Sequence, residues 1–361
     1  MNIRKIVGLF LCFNTVVTTQ KISSLFNVEK GPLQGETIVT KVDDIIKIMD
    51  ETADFIQKIK KHPSKFVTVT AGLFSDFGVT VDDVLETVEF IADIGRRKPE
   101  MLQSPWFLNT HFTFYRWHGD PTQKINHIAK GWKKPPESVV TTQYRITEIP
   151  ASRTKTTVFM YPIYSLPHDE IRLTREQVLK KQHDLLRFKY SRTQILSGVL
   201  DHSHQVVLLG WVTDAGRKEF GMQGSVLLSF NDDQKELIRV AGNNGMKDTE
   251  EYWFADHVKK RKYSKFPVKV KPRADVTYAG DMNLLGFGKV IMLICWNPKK
   301  QKNEVRLGVL VDTGSAFKNN LAKLDMFTGY FPTKSAFQKH IQSYPQTARA
   351  YILIKKKSVI D

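Results

Sequence analysis

The sequence predicts a mainly β protein with its helices confined mostly to the N-terminal third. Three observations carry this. Apolar residues recur at helical spacing only in the first hundred positions, where Val42, Ile45, Met49, Ala53, Ile56 and Ile59 mark one face. From Val140 onward the chain turns to short β-branched and aromatic runs broken by Gly, Pro and Asn-Asp turns. No regular strand–helix alternation accompanies those runs, which points to barrels or sandwiches rather than a doubly wound parallel sheet. A length of 361 residues allows two domains.

Taken in order, the first helix is expected over residues 38–59. A second begins at Thr80, an N-cap residue with Asp82 and Asp83 in its first turn, and turns Val84, Leu85, Val88, Ile91 and Ala92 inward. Neither helix is apolar all round, so each should lie on the surface of something larger. Residues 106–132 are rich in aromatics and histidine, with Phe112, Phe114, Tyr115 and Trp117 among His111, His118 and His127. Their spacing fits no zinc pattern, so a packed cluster with hydrogen-bonded histidines is expected. Strands are expected over 158–161, 206–212, 225–230, 237–240, 289–296 and 305–311. Turns are expected at Asn231-Asp232-Asp233 and Asn297-Pro298. One helix should interrupt the strands, opening at Thr174 with Gln177 three residues on, the spacing of a capping box.

A formal net charge of +17 predicts attraction to polyanions: nucleic acid, an anionic membrane face or an acidic cell-wall polymer. No RNA-binding aromatic signature, zinc-finger spacing or helix-turn-helix pattern favours nucleic acid. Asn2-Ile3-Arg4-Lys5 and the apolar run over 6–17 have the form of an export signal too short to span a membrane, so 1–20 is expected to be a signal segment. Cys12 follows the bulky Leu11, where a lipid-attachment motif needs a small residue, and membrane association is left open. Cys295, the other cysteine, lies in an apolar run and should be core.

The chemistry concentrates near the C-terminus. The apolar run over 305–311 delivers Asp312 onto the turn Thr313-Gly314, and Asp325 follows thirteen residues later at the edge of another apolar segment. Two carboxylates at strand ends, each followed by a glycine, suggest an acid/base site. An Asp that braces its own turn by accepting backbone amides is the alternative. Asp281, before Met282-Asn283-Leu284-Leu285-Gly286-Phe287-Gly288, completes a set of three acids.

In order and spacing this set resembles the three-Asp domain of the membrane-bound lytic transglycosylase A (MltA) family. Asp281 and Gly288 resemble its first element, Asp312-Thr313-Gly314-Ser315-Ala316 its D-[TV]-G-G-A turn, and Asp325-Met326-Phe327-Thr328-Gly329 its D-x-[FY]-x-G segment. Upstream, Tyr161-Pro162-Ile163-Tyr164, Ser191-Arg192-Thr193-Gln194-Ile195, Leu209-Gly210-Trp211-Val212, Met222-Gln223-Gly224-Ser225 and Ala241-Gly242-Asn243-Asn244-Gly245 are similar to further family segments. The departures are Gln143 and Arg145 around Tyr144 where the family has G-Y-Y, Val226 for the last Gly of Q-G-S-G, Ser315 for a Gly, and Met246-Lys247-Asp248 for H-x-Y.

The resemblance implies a double-psi β-barrel with a second β-barrel domain inserted. The first would comprise residues 21–146 and 253–361 with the N-terminal helices, the second residues 147–252. It implies a monomeric lytic murein transglycosylase, exported to the periplasm or outer membrane. Such an enzyme cleaves the MurNAc-β-1,4-GlcNAc bond of peptidoglycan, leaves 1,6-anhydroMurNAc ends, and needs no cofactor or metal. Asp325 would be the catalytic acid/base with Asp312 beside it, and Asp281 and Gly314 would support them. Gln223, Gly224, Ser225, Tyr144, Glu148, Tyr161 and Tyr164 would line the glycan groove. A catalytically silent peptidoglycan-binding protein on the same fold is the alternative, and a basic nucleic-acid-binding protein the third reading. Deleting residues 1–20 should leave the melting temperature unchanged; a large drop in a thermal scan would make the segment part of the core.

Overall fold

The computed structural model describes residues 24–62, 69–123, 137–245, 251–257, 270–297 and 299–357. The expected signal segment with Cys12, together with His127, Trp132, Pro298 and 246–248, lies outside the described residues.

Two short strands, β1 (Phe26–Glu29) and β2 (Thr37–Ile38), precede helix α1 (Val42–Lys61). The helix starts later than its apolar spacing suggests because β2 pairs in parallel with a strand near the C-terminus, and Val39 N–H extends that pairing to Val305 O at 2.9 Å. Helix α2 (Val81–Arg97) opens at Thr80 as expected. The Thr80 hydroxyl accepts from Asp83 N–H at 3.1 Å and the Asp83 carboxylate accepts from Thr80 N–H at 2.8 Å, a reciprocal cap. The two helices pack on each other and bury Ile45, Met49, Val88 and Ile91 against the sheet. Ser104 caps helix α3 (Pro105–His111), which runs into β3 (Phe112–Trp117). The expected aromatic cluster is present in β3, where Phe112, Phe114, Tyr115 and Trp117 are all buried.

Strand β4 (Val139–Ser152) is long and is followed by β5 (Tyr161–Tyr164), α4 (Arg175–Lys180), α5 (Arg192–Leu196), β6 (Leu208–Val212), α6 (Asp214–Gln223), β7 (Ser225–Phe230), β8 (Lys235–Asn243) and β9 (Trp253–His257). Among the described residues three α-helices therefore interrupt these strands, where one was expected. Thr174 and Gln177 form the expected capping box, and Ser191 with Gln194 forms a second. β5 begins three residues later than its β-branched composition suggests. Val158 and Met160 are exposed, and pairing with β6 starts only at Tyr161↔Val212. The hairpin between β7 and β8 turns at the expected Asn-Asp-Asp sequence, with Asp233 in the left-handed region.

The remaining elements are β10 (Thr277–Ala279), α7 (Met282–Leu285), β11 (Val290–Asn297), β12 (Lys302–Asp312), β13 (Lys323–Phe331), α8 (Lys334–Ile341) and β14 (Thr347–Lys355). Pairing runs β14–β11–β12–β10–β13–β4, and β14 also pairs with β4 through Thr347↔Val140, so this path returns on itself. The result is a mixed, sheet-rich fold. Its core is divided: one large apolar body joins α1 and α2 to β3 and β10–β14, while a second gathers Ile149, Val212, Phe220, Val226 and Ile238 between β4 and β9. Cys295 is buried in the first, and burial pushes its thiol up to about 12.

Lys289 is wholly buried, and among the described residues its Nζ has no hydrogen-bond partner. Burial pulls its ammonium down to about 7. In an unfolded chain lysine titrates near 10.4. Between about 7 and 10.4 the unfolded chain holds a proton that the folded chain has released, so stability from this site rises with pH across that window. Lys289→Met should raise the melting temperature, and by more at pH 6 than at pH 10. Equal gains at both pH values would contradict this.

Candidate functional site

The site is built on β10. Its three residues pair in parallel with β12, Tyr278 and Ala279 pair antiparallel with β13, and Ala279 stands opposite Asp312 on one side and Asp325 on the other. Two inter-strand steps separate the two acids, about 10 Å between their Cα atoms. Asp281 lies two residues beyond Ala279. Its Oδ1 accepts from Asn283 N–H at 3.0 Å and Leu284 N–H at 3.1 Å, capping α7, and its Oδ2 accepts from Asn320 N–H at 3.2 Å. Asp281 is almost wholly buried, and its contacts tie α7 to the loop between Asp312 and Asp325. All three acids thus converge at one end of the β10 neighbourhood.

The two remaining acids have different surroundings. Asp312 ends β12, and its Oδ2 accepts from the Tyr144 hydroxyl at 2.8 Å while its Oδ1 accepts from Thr313 N–H at 2.9 Å. Burial first, then the adjacent Asp312 carboxylate, push the Tyr144 phenol well above its ordinary range, so it stays a donor. Asp325 is the third residue of β13 rather than a residue following a strand, and is paired in register with Thr142 of β4. The Thr142 hydroxyl donates to its Oδ1, and Lys323 Nζ lies 3.6 Å from the same oxygen. Leu324 and Met326 are buried on the opposite face by strand alternation, whereas Phe327 shares Asp325's face and packs at a tilt against Tyr144 with ring centres 5.3 Å apart.

Asp325 opens into a cleft of about 720 Å³. Thr142, Tyr144 and Arg145 of β4 contribute its floor, Glu219 and Gln223 of α6 line one wall, and Phe337 of α8 lines the other. Asp312 does not line it. Of the other groove candidates, Tyr144 and Gln223 are in the cleft. Glu148 pairs with Lys235 at 2.7 Å outside it, Tyr161 carries the Arg217 guanidinium over its ring, and Tyr164 is buried with its hydroxyl on Asp201. Gly224, in the left-handed region, ends α6, and Ser225 starts β7 opposite Arg239. Gly314 has no left-handed φ, and an added Cβ would meet only the Phe317 ring at 3.9 Å, so no steric need accounts for it. Val226, at the departure from Q-G-S-G, is wholly buried in the second core with no left-handed backbone.

Sequence reasoning missed Thr142, Lys323 and Glu219. Glu219 accepts from Arg145 Nη2 at 2.9 Å and from the Thr147 hydroxyl at 2.6 Å. Burial raises the Glu219 pKa, but these hydrogen bonds and the Arg145 charge outweigh it and hold the carboxyl below its usual range.

Residues 140–249 match the family model described as the MltA specific insert domain. The match is to that segment of the chain. Two solved structures share its fold. A membrane-bound lytic murein transglycosylase from Agrobacterium tumefaciens is 18% identical, covers 86% of this chain and 92% of its own, and gives a TM-score of 0.52. E. coli MltA with bound chitohexaose is 17% identical, covers 92% of this chain and 95% of its own, and gives 0.51. No curated protein matches the chain in sequence. Among the described residues, no helix is long and apolar enough to cross a membrane.

Tyr144→Phe should leave the fold intact while removing one donor to a carboxylate, a loss of about 1.5–3 kcal/mol. Urea unfolding measures it; an unchanged midpoint would mean the Tyr144–Asp312 bond contributes nothing.

Proposed function

We propose that the protein is a lytic transglycosylase of peptidoglycan, with Asp325 as its acid/base. The observation that carries this reading is the carboxylate of Asp325 opening into a cleft floored by the strand that enters the insert. The MltA fold and its insert domain support the class of reaction, and so does the glycan bound to the E. coli relative. The returning path β4–β13–β10–β12–β11–β14–β4 supports a double-psi β-barrel formed by residues 21–146 and 253–361. The separate apolar body within β4–β9 supports an inserted domain over 147–252, with the cleft between the two. Export to the periplasm, with the +17 charge meeting the free peptide carboxylates of peptidoglycan, fits the same reading.

Ordinary glycosidases use two carboxylates, one to protonate the leaving oxygen and one to serve water or the sugar carbon. In the proposed reaction Asp325 gives its proton to the glycosidic oxygen between MurNAc and GlcNAc. The C6 hydroxyl of the same MurNAc then attacks C1 and returns a proton to Asp325. A single group suffices because the nucleophile is intramolecular. The ring closes as a 1,6-anhydro sugar and no water is consumed. Asp312, held by Tyr144 outside the cleft, acts through the architecture around β10, and Asp281 ties α7 to the loop before Asp325.

Mass analysis of products from purified sacculi tests this. Wild-type protein should release 1,6-anhydromuramoyl fragments, about 18 Da lighter than hydrolysis products because no water is added. Asp325→Asn should fold normally and lose about 10²–10⁴-fold in rate, and Asp312→Asn should lose less. Reducing-end products would indicate a hydrolase. Protein that pellets with sacculi and releases no sugar would be the silent binder instead.

A further inference from the structure

Asp325 has a cation beside it on its own strand. Lys323 precedes it by two residues on β13, so strand alternation puts both side chains on one face, and both line the cleft. Lys323 Nζ lies 3.6 Å from Asp325 Oδ1, and the two side chains are mostly buried, with exposures of 12% and 18%. The same ammonium lies over the Phe317 ring, 4.7 Å from its centre, in the short turn Ser315–Phe317 that follows Asp312. Phe317 is itself buried, so the lysine is held between an aromatic face and the carboxylate. The other charged groups facing the cleft are engaged elsewhere or exposed. From β4, Arg145 donates to Glu219 of α6 at 2.9 Å and lies over the Phe337 ring of α8, 5.3 Å from its centre. Tyr144, also on β4, gives its hydroxyl to Asp312 at the end of β12. β10 brings the apolar Ala279 opposite Asp325, and α8 brings Lys334 to the cleft, where it is exposed. Among the described residues, Lys323 is thus the cation seated against the Asp325 carboxylate.

We propose that Lys323 is a positioning residue that holds Asp325 in its ionised form, so that the proposed cleavage starts only after acid has loaded that carboxylate with a proton. An opposite charge within about 4–6 Å favours the charged state of a carboxyl group. Burial works against ionisation, but the Thr142 hydroxyl donates to the same oxygen that faces the ammonium and supports the charged form. A lysine ammonium keeps its charge throughout the range in which a carboxyl titrates. The consequence for the reaction has two parts. At neutral pH fewer molecules carry the proton needed to begin. Once that proton has gone to the glycosidic oxygen, the neighbouring charge stabilises the carboxylate left behind. Lys323 therefore gives a smaller loaded fraction but a stronger acid, and moves activity toward acidic conditions. This inference rests on the proposed glycan-cleaving function and adds the condition under which the site works.

Carbon-13 NMR of the full-length protein, labelled at its aspartate carboxyl carbons, reads the ionisation directly, with the Asp325 signal assigned by its loss in Asp325→Asn. That signal should titrate about 1 pH unit higher in Lys323→Met than in the wild type, and Lys323→Arg should restore the wild-type midpoint. Sugar release from purified sacculi should follow the same order. The fall in kcat/KM with rising pH should move up by about 1 pH unit in Lys323→Met and return in Lys323→Arg. A lysine that only packs against Phe317 would move neither midpoint, and coincident carboxyl titrations in wild type and Lys323→Met would overturn the inference. If Lys323→Met does not fold, Lys323→Gln removes the charge while keeping a polar side chain and reads the same titration. Coincident titrations in a protein that releases anhydro sugar would leave the enzyme reading intact. A shifted titration in a protein that releases no sugar at any pH would overturn the glycan-cleaving function while the effect of Lys323 on Asp325 stood.

Discussion

Strand β10 is the constraint on which the rest of the site depends. Thr277, Tyr278 and Ala279 are all buried, and among the described residues they form the link in the pairing path between β12 and β13. Because the strand is parallel to one neighbour and antiparallel to the other, one residue, Ala279, fixes both acids. Its place is itself enforced by packing. The Tyr278 ring lies so close to Gly308 on β12 that an added Cβ would stand 2.5 Å from the ring. Any side chain at Gly308 would push β10 away from β12 and change the distance between Asp312 and Asp325. A site whose acids are scattered along the last third of the sequence is thus held by three residues and one glycine.

The second organising element is β4. Its first half pairs with β13 beside Asp325, and its second half pairs with β7 in the insert, with Thr147 taking part in both ladders. A single rigid strand therefore carries the register of the acid site into the insert. α6 follows from this placement, since Gly216 near its start packs against Ile149 of β4. The helix then aims Glu219 and Gln223 back over the strand that supports Asp325. Cleft width depends on this strand and on Arg145, which touches both walls.

Much of this was legible in the sequence where the signal was local. The Thr80 and Thr174 caps, the amphipathic face of α1 and α2, the β7–β8 turn and the buried run around Cys295 all follow from short-range chemistry. The motif order of the three acids was also readable, and with it the resemblance to a known family. What escaped was non-local or masked by composition. Gly216 and Gly221 lower the helix propensity of α6, although Thr213 at its N-cap and Gly224 just past its end bracket it and could have revealed it. The pairing of Arg145 with Glu219 joins residues 74 apart, and no periodicity reports such a contact. Tyr164 looked like a sugar platform because aromatic residues serve both grooves and cores. Only burial separates those roles, and here it is almost wholly buried. Lys323 was hidden in the general basic charge until the fold placed its ammonium beside Asp325.

The central claim is that the cleft beside Asp325, between α6 and α8, is where glycan is bound and cut. The most direct measurement is a crystal structure of the Asp325→Asn protein with a GlcNAc hexamer. The account predicts a chain running over β4 between Gln223 and Phe337, with one glycosidic oxygen within about 3 Å of the substituted side chain at position 325. A hexamer bound elsewhere on the surface, or one crossing the cleft with no glycosidic oxygen near that position, would contradict it.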